Sequence, residues 1–460
     1  MSKILIPFLI IAIVFTSCKN DKEDDVPSSP KENLALYKVV DQTIYDIMSV
    51  YYLWNNNLPR YRRSEKRNPE SYFESLLYTD DKWSFIFDDY EELDAELEGT
   101  PYSMGYSPQF HYYNGTSNVM ILVEYVYPNS PAEAAGLKRG DIILEVNGKE
   151  MTPDNYYDLY SEESATYTLG IYNAATNQFD DGEKISITAT EVEADPTVYD
   201  TIIDVAGKKV GYLVYTQYIN SKKYISHIDE IFDKYIVSGV KDLILDLRYN
   251  GGGDVTAAQH LASNIVPTTV VEGKKVFTSF VYNDILTDAY KGDDENFSVK
   301  FENTGHNANM ENLYVLGTQG TASASELTTI GLMPYMNVTL IGENTYGKYT
   351  GMFVFDKREQ GCSGLNNWAI APITMKYANA DGYTDFVDGL TPDYKVEDDL
   401  LSAYQFGDLN DPMLATAVSL ISGDANPLSA KAAHIKPFQY IGRDKSVLNN
   451  NLYKRVIINE

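Results

Sequence analysis

Cysteine and histidine are scarce in this sequence, and their scarcity excludes several kinds of site. The 460-residue chain contains two cysteines, Cys18 and Cys362, and five histidines. Two cysteines cannot build a disulfide framework or a cysteine-based zinc site. The histidines are scattered along the chain and form no HExxH motif. We therefore expect no metal and no cofactor in this protein.

Positive charge is also in short supply. Lys and Arg number 37 against 66 Asp and Glu, which gives a formal net charge of −29. Such a charge repels nucleic acid and anionic lipid, so we expect no nucleic-acid partner. Hydrophobic residues make up 44% of the chain, which is enough for folded domains with real cores. The length is typical of a chain with several domains.

Long hydrophobic runs are absent apart from a short one close to the first residue. It follows a lysine and is too short to span a bilayer as a mature helix, which is typical of a secretory signal peptide. Two small residues then precede Cys18, as in a bacterial lipobox. We predict a signal peptide over 1–17, lipidation of Cys18, a flexible tether over 18–33 and a membrane-anchored place in the cell envelope. The alternative is an ordinary cleaved signal with a chance cysteine.

Helical periodicity marks the next region. Apolar residues spaced three or four apart predict an amphipathic helix: Leu36, Val40, Ile44, Ile47, Tyr51 and Trp54. A second helical stretch, PESYFESLLY, follows. We predict a small helical domain over 34–97, with a packing or regulatory role and no chemistry of its own.

A different pattern begins near residue 99. The stretch SPAEAAGLKRGDIILEVNG has glycines where tight turns need positive φ, and it resembles a PDZ domain, which we place at 98–194. The resemblance implies a carboxylate-binding loop in which backbone N–H groups of Met104, Gly105 and Tyr106 bind a peptide's C-terminal carboxylate. The peptide then adds a strand to the sheet. The alternative is a PDZ fold that binds nothing.

From about residue 200, strands and helices alternate. The strands KVGYLVYTQY and DLILDLR flank a helical stretch, which predicts a parallel βαβ unit. Three motifs each follow a strand: YNGGGD, TASASE and ENTYGK. Ligands in open α/β sheets bind at the carboxyl ends of the strands. We therefore expect these motifs to meet.

TASASE has two interpretations. Ser323 and Glu326 fit the capping box that begins many helices, which explains both residues without catalysis. A serine at a helix N-terminus also lies beside free N–H groups that can stabilise an oxyanion.

ENTYGK nearly matches a phosphate loop. However, Tyr349 stands where a Ser or Thr should bind Mg²⁺. The following YTGMFVF also has the pattern of a strand and not of the helix that a phosphate loop needs. We do not expect a nucleotide.

TASASE and ENTYGK are better explained as two parts of one site than as separate motifs. A serine hydroxyl needs a base to become a nucleophile, and the sequence shows no GxSxG elbow and no evident histidine partner. A lysine can serve if desolvation lowers its pKa. Lys348 follows a strand at the sheet end where Ser323 should also lie, which indicates a Ser–Lys dyad.

The order of PDZ domain, LDLRYNGGGD, GTASASE and GENTYGK is similar to that of the C-terminal processing peptidases, also called tail-specific proteases. The resemblance covers about 35–425 and implies a multidomain α+β and α/β fold: an N-terminal helical domain, the PDZ domain and a crotonase/ClpP-like α/β protease core at 195–400. We predict a C-terminal helical extension over 401–460. The implied activity is that of a serine endopeptidase acting on unstructured or C-terminal segments of proteins.

Site residues follow from the same resemblance. It implies that Ser323, and not Ser325, is the nucleophile and that Lys348 is the general base. The oxyanion donors would be the N–H of Ala324 and of the glycine loop, Gly252 with Gly253 adjacent.

The sequence departs from the family at two places. Many members have a glutamine four residues after the lysine, where this chain has Met352, and Gly251 stands where many relatives have proline. We hypothesise that Thr350, on the same strand face as Lys348, positions its amine instead. Met352 also favours an alternative, a protease fold that has lost activity and serves as a binding or scaffold protein. A third possibility is another hydrolase or an acyl-transfer enzyme on the same core.

Overall fold

The structure is a computed structural model that describes most of the chain. The described residues are 30–61, 68–113, 117–173, 175–176, 178–423, 438–440 and 456–457. The predicted signal peptide and Cys18 lie outside them. The first helix begins at Pro30, inside the segment predicted as a tether. Within the described part of the chain, no helix combines the length and apolar character needed to cross a bilayer.

The N-terminal region packs as part of the protease core. Its regular elements are α1 (Pro30–Tyr51), α2 (Pro69–Glu74), β1 (Phe85–Phe87) and α3 (Tyr90–Glu98). Asn68 and Asp89 cap the starts of α2 and α3, and Gly99 ends α3 in the left-handed conformation. The apolar face of α1 joins the large core cluster of the protease sheets. The described residues of this region therefore form no hydrophobic core separate from that of the protease.

The PDZ region has a core of its own. Its elements are β2 (Tyr102–Ser103), β3 (Tyr106–Tyr113), β4 (Val119–Val126), α4 (Pro131–Ala134), β5 (Ile142–Val146), β6 (Lys149–Glu150), α5 (Tyr156–Tyr160), β7 (Ser164–Asn173), β8 (Gln178–Thr188) and β9 (Thr190–Glu191). Strands β3, β4, β5, β7 and β8 form an antiparallel sheet in that order. Phe110, Ile121 and Tyr167 lie at the centre of its buried cluster.

The protease core is built on a largely parallel sheet. Its elements as far as the helix that follows Ser323 are β10 (Thr197–Val205), β11 (Lys208–Tyr215), α6 (Lys222–Ser238), β12 (Asp242–Asp246), β13 (Gly253–Asp254), α7 (Val255–Ile265), α8 (Thr268–Glu272), β14 (Val276–Tyr282), α9 (Asp284–Tyr290), β15 (Ser298–Lys300), β16 (Asn312–Gly317) and α10 (Ala324–Leu332). As predicted, β11 and β12 are parallel and α6 connects them.

The rest of the chain completes two sheets. Its elements are β17 (Asn337–Gly342), β18 (Thr350–Met352), β19 (Ala369–Ala371), β20 (Ile373–Ala378), β21 (Tyr394–Lys395), α11 (Pro412–Ser422), β22 (Phe438–Tyr440) and β23 (Val456–Ile457). One sheet has the order β10-β11-β12-β16-β17-β21, and its strands from β11 onward are parallel. The other has the order β13-β23-β18-β20-β14-β15. Both faces of the parallel sheet are covered, which explains its continuous apolar strands.

Beyond residue 400 the structure differs from the helical extension that the sequence predicted. Asp411 caps α11 and Gly423 ends it, as the pattern indicates, and α11 packs on the parallel sheet. The segments described after α11 are strands: β22 pairs with β3 of the PDZ sheet, and β23 pairs with β13 and β18. Strand pairing with distant partners leaves no signal in local periodicity.

A buried ionic network holds the PDZ region against the protease core. Arg139 of the PDZ region lies 3.2 Å from Asp398, and Arg248, just after β12, lies 3.0 Å from the same carboxylate. Arg248 also contacts Asp411 at 2.8 Å. Burial alone would raise the pKa of Asp398, but Arg139 and Arg248 outweigh it and hold that pKa below its usual value. The network places the PDZ region next to the loop that leads to the glycine motif.

Candidate active site

The three motifs singled out in the sequence meet at one edge of the parallel sheet. YNGGGD follows β12, TASASE follows β16 and ENTYGK follows β17. These strands are neighbours and run parallel, so their carboxyl ends coincide. The prediction that Ser323 and Lys348 lie at the same sheet end is correct, and the site lies where open α/β sheets bind their ligands.

Ser323 occupies a strained position at the start of α10. Its φ of 58° is positive, which is unusual for a residue other than glycine, and its side chain is 0% exposed. Its N–H donates to Glu326 Oε2 at 2.8 Å. Ser323 Oγ faces the Glu326 N–H as in a capping box, but it forms no hydrogen bond of normal geometry. The capping interpretation therefore accounts for Glu326 and leaves the serine hydroxyl unpartnered.

Lys348 reaches the site through a turn that only glycine can make. Gly347 has a φ of 93°, and a Cβ there would lie 2.4 Å from the Val387 carbonyl oxygen. Lys348 itself is 1% exposed, and its Nζ lies 4.0 Å from Met352 Sδ. Burial disfavours the ammonium form of lysine, which suits a general base. A strand and not a helix follows, so the chain lacks the helix N-terminus of a phosphate loop.

Glu326 connects the Ser323 segment and the Lys348 segment, a contact that the sequence did not indicate. Its Oε1 accepts hydrogen bonds from Thr345 Oγ1 and the Gly347 N–H, both at 2.6 Å. Its Oε2 accepts the Ser323 N–H at 2.8 Å and the Lys348 N–H at 2.9 Å. The carboxylate is 0% exposed. Burial raises its pKa to about 7, against the lowering effect of these four donors.

Tyr377 makes a second connection between the two segments. It lies on β20, in the other sheet, and its hydroxyl is within hydrogen-bonding distance of the carbonyl oxygens of both Ser323 and Lys348. The ring is fully buried. No sequence motif marks this residue, because the contact depends on how the two sheets pack.

The glycine loop is bound to the Ser323 segment by Asn250, another residue that the motif alone did not reveal. The Asn250 carbonyl oxygen accepts the Ala322 N–H at 3.0 Å and Ser325 Oγ at 2.9 Å. Ser325, the serine not assigned as nucleophile, thus has a structural partner. The Asn250 side chain accepts the Gly252 N–H at 2.9 Å.

The predicted oxyanion donors are therefore not equivalent. The Gly252 N–H is engaged by Asn250 and is not available to an oxyanion in this arrangement. Gly253 lies in β13 with a φ of 140°, where a Cβ would meet the Tyr218 carbonyl oxygen at 2.1 Å. Ala324 is the first residue of α10, so its N–H has no acceptor within the helix. Ala324 and Gly253 are the better donor candidates.

The hypothesis that Thr350 positions the lysine amine stays a prediction, and the structure shows no hydrogen bond from the Thr350 hydroxyl to that amine. Thr350 lies on β18, but its Oγ1 is buried with no hydrogen-bond partner among the described residues. On the same strand, Met352 Sδ lies 4.0 Å from Lys348 Nζ. A thioether is a weak acceptor and can still contact a buried amine.

Thr350→Val should leave turnover unchanged within about twofold and should raise stability by about 1 kcal/mol, because it removes a buried hydroxyl without a partner. Urea denaturation and casein cleavage would measure the two effects. Thr374→Val is the matched control, since its hydroxyl bonds the Pro372 carbonyl and accepts the Phe353 N–H. That variant should lose stability. A large loss of turnover in Thr350→Val would restore the original hypothesis.

The predicted carboxylate-binding loop lines a groove between the PDZ region and the N-terminal region. Met104 and Tyr106 contribute to a cavity of about 520 Å³. Gly105 has a φ of 86° and lies so close to Ser130 that a Cβ would be 2.2 Å from the serine Cβ. A second cavity of about 600 Å³ lies between α3 and the glycine loop and is bordered by Gly253.

Comparison with known proteins agrees with this arrangement. The model of peptidase family S41 matches residues 209–396, that of the S41 N-terminal domain matches residues 39–85, and a PDZ model matches residues 122–166. The chain belongs to peptidase family S41. This S41 peptidase is therefore a serine peptidase with a PDZ domain, and the predicted family and fold are confirmed.

Similar proteins carry names that describe C-terminal processing. The peptidase is 24% identical over 405 residues to the carboxyl-terminal-processing protease of Synechocystis, a match covering 85% of this chain and 86% of that protein. It is 27% identical over 282 residues to the carboxy-terminal processing protease CtpA of Bacillus subtilis, covering 60% of this chain and 53% of that one. A solved S41 protease from Bacteroides fragilis superposes with a TM-score of 0.69 at 26% identity, covering 83% of this chain and 97% of that chain.

Proposed function

We propose that this S41 peptidase cleaves unstructured or C-terminal protein segments with a Ser323–Lys348 dyad. Ser323 Oγ attacks the scissile carbonyl, and neutral Lys348 accepts the hydroxyl proton. Lys348 then gives that proton to the leaving amine. Water activated by Lys348 hydrolyses the acyl-enzyme and frees Ser323. No cofactor takes part in these steps.

One observation carries the proposal: two buried groups hold the nucleophile segment and the lysine segment together. Glu326 accepts the backbone N–H of both Ser323 and Lys348, and Tyr377 contacts both carbonyl oxygens. A capping serine needs no such connection to a buried lysine. Holding reacting groups in register is the main way in which a rigid site accelerates a reaction.

The PDZ region supplies the protein substrate in this proposal. The groove at Met104 and Tyr106 lies at the start of β3, whose outer edge is paired with β22 only at His111–Tyr113. A peptide strand would add along the part of β3 before His111. Backbone N–H groups of Met104, Gly105 and Tyr106 would bind the terminal carboxylate. The names of the relatives favour a C-terminal tail as the ligand. A peptide ligand also argues against a small-molecule hydrolase or acyl-transfer enzyme on the same core.

The proposal includes a lipid anchor at Cys18 in the cell envelope, supported by the sequence alone. Detergent-phase partitioning of the full chain and of Cys18→Ala would test it. We expect the parent in the detergent phase and the variant in the aqueous phase.

The catalytic proposal is tested with one fluorescent polypeptide made in two forms, with a free and with an amidated C-terminus. We expect cleavage with a kcat/KM about tenfold higher for the free carboxylate, because amidation removes the charge that the PDZ loop would bind. Mass spectrometry of the products locates the cleavage site. Ser323→Ala should bind both forms as the parent does and cleave neither.

A scaffold protein would give a different result. The parent and Ser323→Ala would then bind the free-carboxylate form equally, and neither would cleave it at any pH from about 6 to 10. That outcome would refute the dyad and leave PDZ recognition standing.

A further inference from the structure

The cavity between α3 and the glycine loop has no role in the steps of the proposed reaction. It has a volume of about 600 Å³ and is bordered by Gly253, one of the two better candidates for an oxyanion donor. We call it the α3 cavity. Because the oxyanion forms on the scissile carbonyl, a cavity at Gly253 lies beside the substrate residues close to the cleaved bond. A cavity of this size can hold any amino-acid side chain, so its polar groups and not its size decide which one binds.

Gln217 is a buried polar residue that lines the α3 cavity. It is 7% exposed, and its side-chain amide makes no hydrogen bond within the part of the chain that the structure describes. The amide atoms are not fully enclosed by protein, so they remain accessible from the cavity. A buried amide without a partner is costly to fold. The Gln217 amide therefore offers an accepting oxygen and a donating N–H₂ group to a molecule in the cavity.

The backbone beside Gln217 is bonded directly to the glycine loop. The Tyr218 N–H donates to the Gly252 carbonyl oxygen at 2.9 Å, and the Tyr218 carbonyl oxygen accepts the Asp254 N–H at 2.8 Å. These two bonds pair Tyr218 with Gly253 as in a parallel sheet. A substrate group that binds the Gln217 amide is therefore held in a fixed position relative to the glycine loop.

The charge around the α3 cavity is negative. Among the described residues that line it, three are acidic and one is basic. The acidic ones are Asp94, Glu98 and Asp254, and the basic one is Arg358. The guanidinium of Arg358 is already matched by two carboxylates: its Nη2 donates to Asp94 Oδ1 and its Nε to Asp356 Oδ1, both at 2.9 Å. Its positive charge is therefore neutralised within the protein and does not repel a cationic ligand.

Glu98 is the carboxylate of the α3 cavity that is left for a ligand. It is exposed, and it forms no ion pair with any residue that the structure describes. It is also the last residue of α3, whose final turn contains no basic residue, and the carboxyl end of a helix favours cations. The Glu98 carboxylate and the Gln217 amide oxygen are both acceptors, which are the groups that an ammonium or guanidinium ion needs.

We propose that the α3 cavity is a substrate subsite for lysine and arginine, in which Gln217 and Glu98 bind the cationic end of a side chain close to the cleaved bond. The inference deepens the proposed function and rests on it for the position of that bond. An acidic side chain would be repelled by the carboxylates of the cavity, and an apolar one would leave the Gln217 amide without a partner. The cavity thus selects which bond reaches Ser323 and leaves the chemistry at Ser323 unchanged.

The test maps the bonds that the full chain cleaves in casein by mass spectrometry. We expect lysine or arginine to prevail at one position near the cleaved bond. A polypeptide with arginine at that position should have a kcat/KM about tenfold higher than one with citrulline, its neutral isostere, because hydrogen bonds to charged groups are the stronger ones. Glu98→Gln and Gln217→Leu should each lose most of this ratio. Gln217→Leu should unfold no more easily than the parent, since its amide makes no hydrogen bond among the described residues.

Glu91→Gln is the matched control. It makes the same change of charge in the first turn of α3, outside the α3 cavity, and should keep the preference for arginine. The preference is a ratio of two kcat/KM values measured on one protein, so a general loss of activity does not change it. A parent without the preference, or variants of Glu98 and Gln217 that both retain it, would overturn the inference.

A binding measurement separates this inference from the proposed function. Ligand-observed NMR of Ser323→Ala would compare acetyl-arginine amide with acetyl-citrulline amide, which has the same shape and no charge. We expect the arginine compound to bind about tenfold more tightly, and the addition of Glu98→Gln should remove the difference. If no form cleaves casein but this difference is found, the proposed function fails and the cationic subsite stands. Equal binding of the two compounds would refute the subsite.

Discussion

Ser323→Ala is expected to lower kcat/KM for a protein substrate by about 10³-fold or more, because the reaction loses its nucleophile. The fold should survive, since Ser323 Oγ makes no hydrogen bond of normal geometry. Lys348→Ala should cause a loss of the same order, and the double variant should be no worse than either single one, because the two residues act as a unit. Single-turnover kinetics with a fluorescent polypeptide would measure all three.

Two further variants make this test specific to Ser323. Ser325→Ala is the matched control: its hydroxyl bonds the Asn250 carbonyl oxygen, so it should keep at least about a tenth of the activity. Ser323→Gly should be as inactive as Ser323→Ala but more stable than it by about 1 kcal/mol, because glycine accepts the positive φ of this position without strain. If Ser325→Ala were the inactive variant, the nucleophile would be misassigned.

Glu326→Gln is expected to lower kcat by about 10²-fold with little change in KM. The carboxylate accepts four hydrogen bonds, two on each oxygen. A glutamine keeps one accepting oxygen and turns an amide N–H₂ toward the other two donors, so those buried donors lose their partner. Ser323 and Lys348 would then shift relative to each other, and displacements of about 1 Å can cost 10²-fold in rate.

The pH dependence distinguishes this positioning role from general damage. The pKa of Glu326 is raised from 4.5 to about 7, so the carboxylate that accepts all four donors prevails only above about pH 7. We expect activity of the parent to rise through about pH 7 and again at higher pH as Lys348 loses its proton. Glu326→Gln should lack the first rise and keep the second. A first rise that persists in Glu326→Gln would assign it to another group.

The folding stability of the protein should fall with rising pH over the range in which its activity first rises. Because the folded pKa of Glu326 lies above its unfolded value, the stabilisation linked to this group is fully present below about pH 4.5 and is lost as pH rises through about 7. Ionised Glu326 therefore lowers folding stability, while the same ionised form is the one expected to support catalysis. Thermal unfolding of the parent and of Glu326→Gln across this range would show the effect, since glutamine does not titrate.

The sequence predicted the site better than it predicted the contacts within the site. Three motifs after three strands were enough to bring Ser323, Lys348 and the glycine loop to one sheet end, because neighbouring parallel strands share an edge. The sequence also predicted that Thr350 lies on the same strand face as Lys348. Its hydroxyl, however, makes no hydrogen bond among the described residues. The sequence could not predict whether the Gly252 N–H is free to bind an oxyanion, because that depends on the side-chain direction of Asn250.

By itself, the sequence determined the order of the family motifs and the candidate residues for the chemistry. It did so because turns, caps and strand-to-helix steps are local and leave their residues in fixed positions along the chain. Only the tertiary structure decided how these parts are joined. Glu326 and Tyr377 connect the Ser323 and Lys348 segments, and Arg139 and Arg248 connect the PDZ region to the core. It also placed β22 beside β3 of the PDZ sheet and β23 between β13 and β18. Those contacts join residues far apart in the chain, and packing alone brings them together.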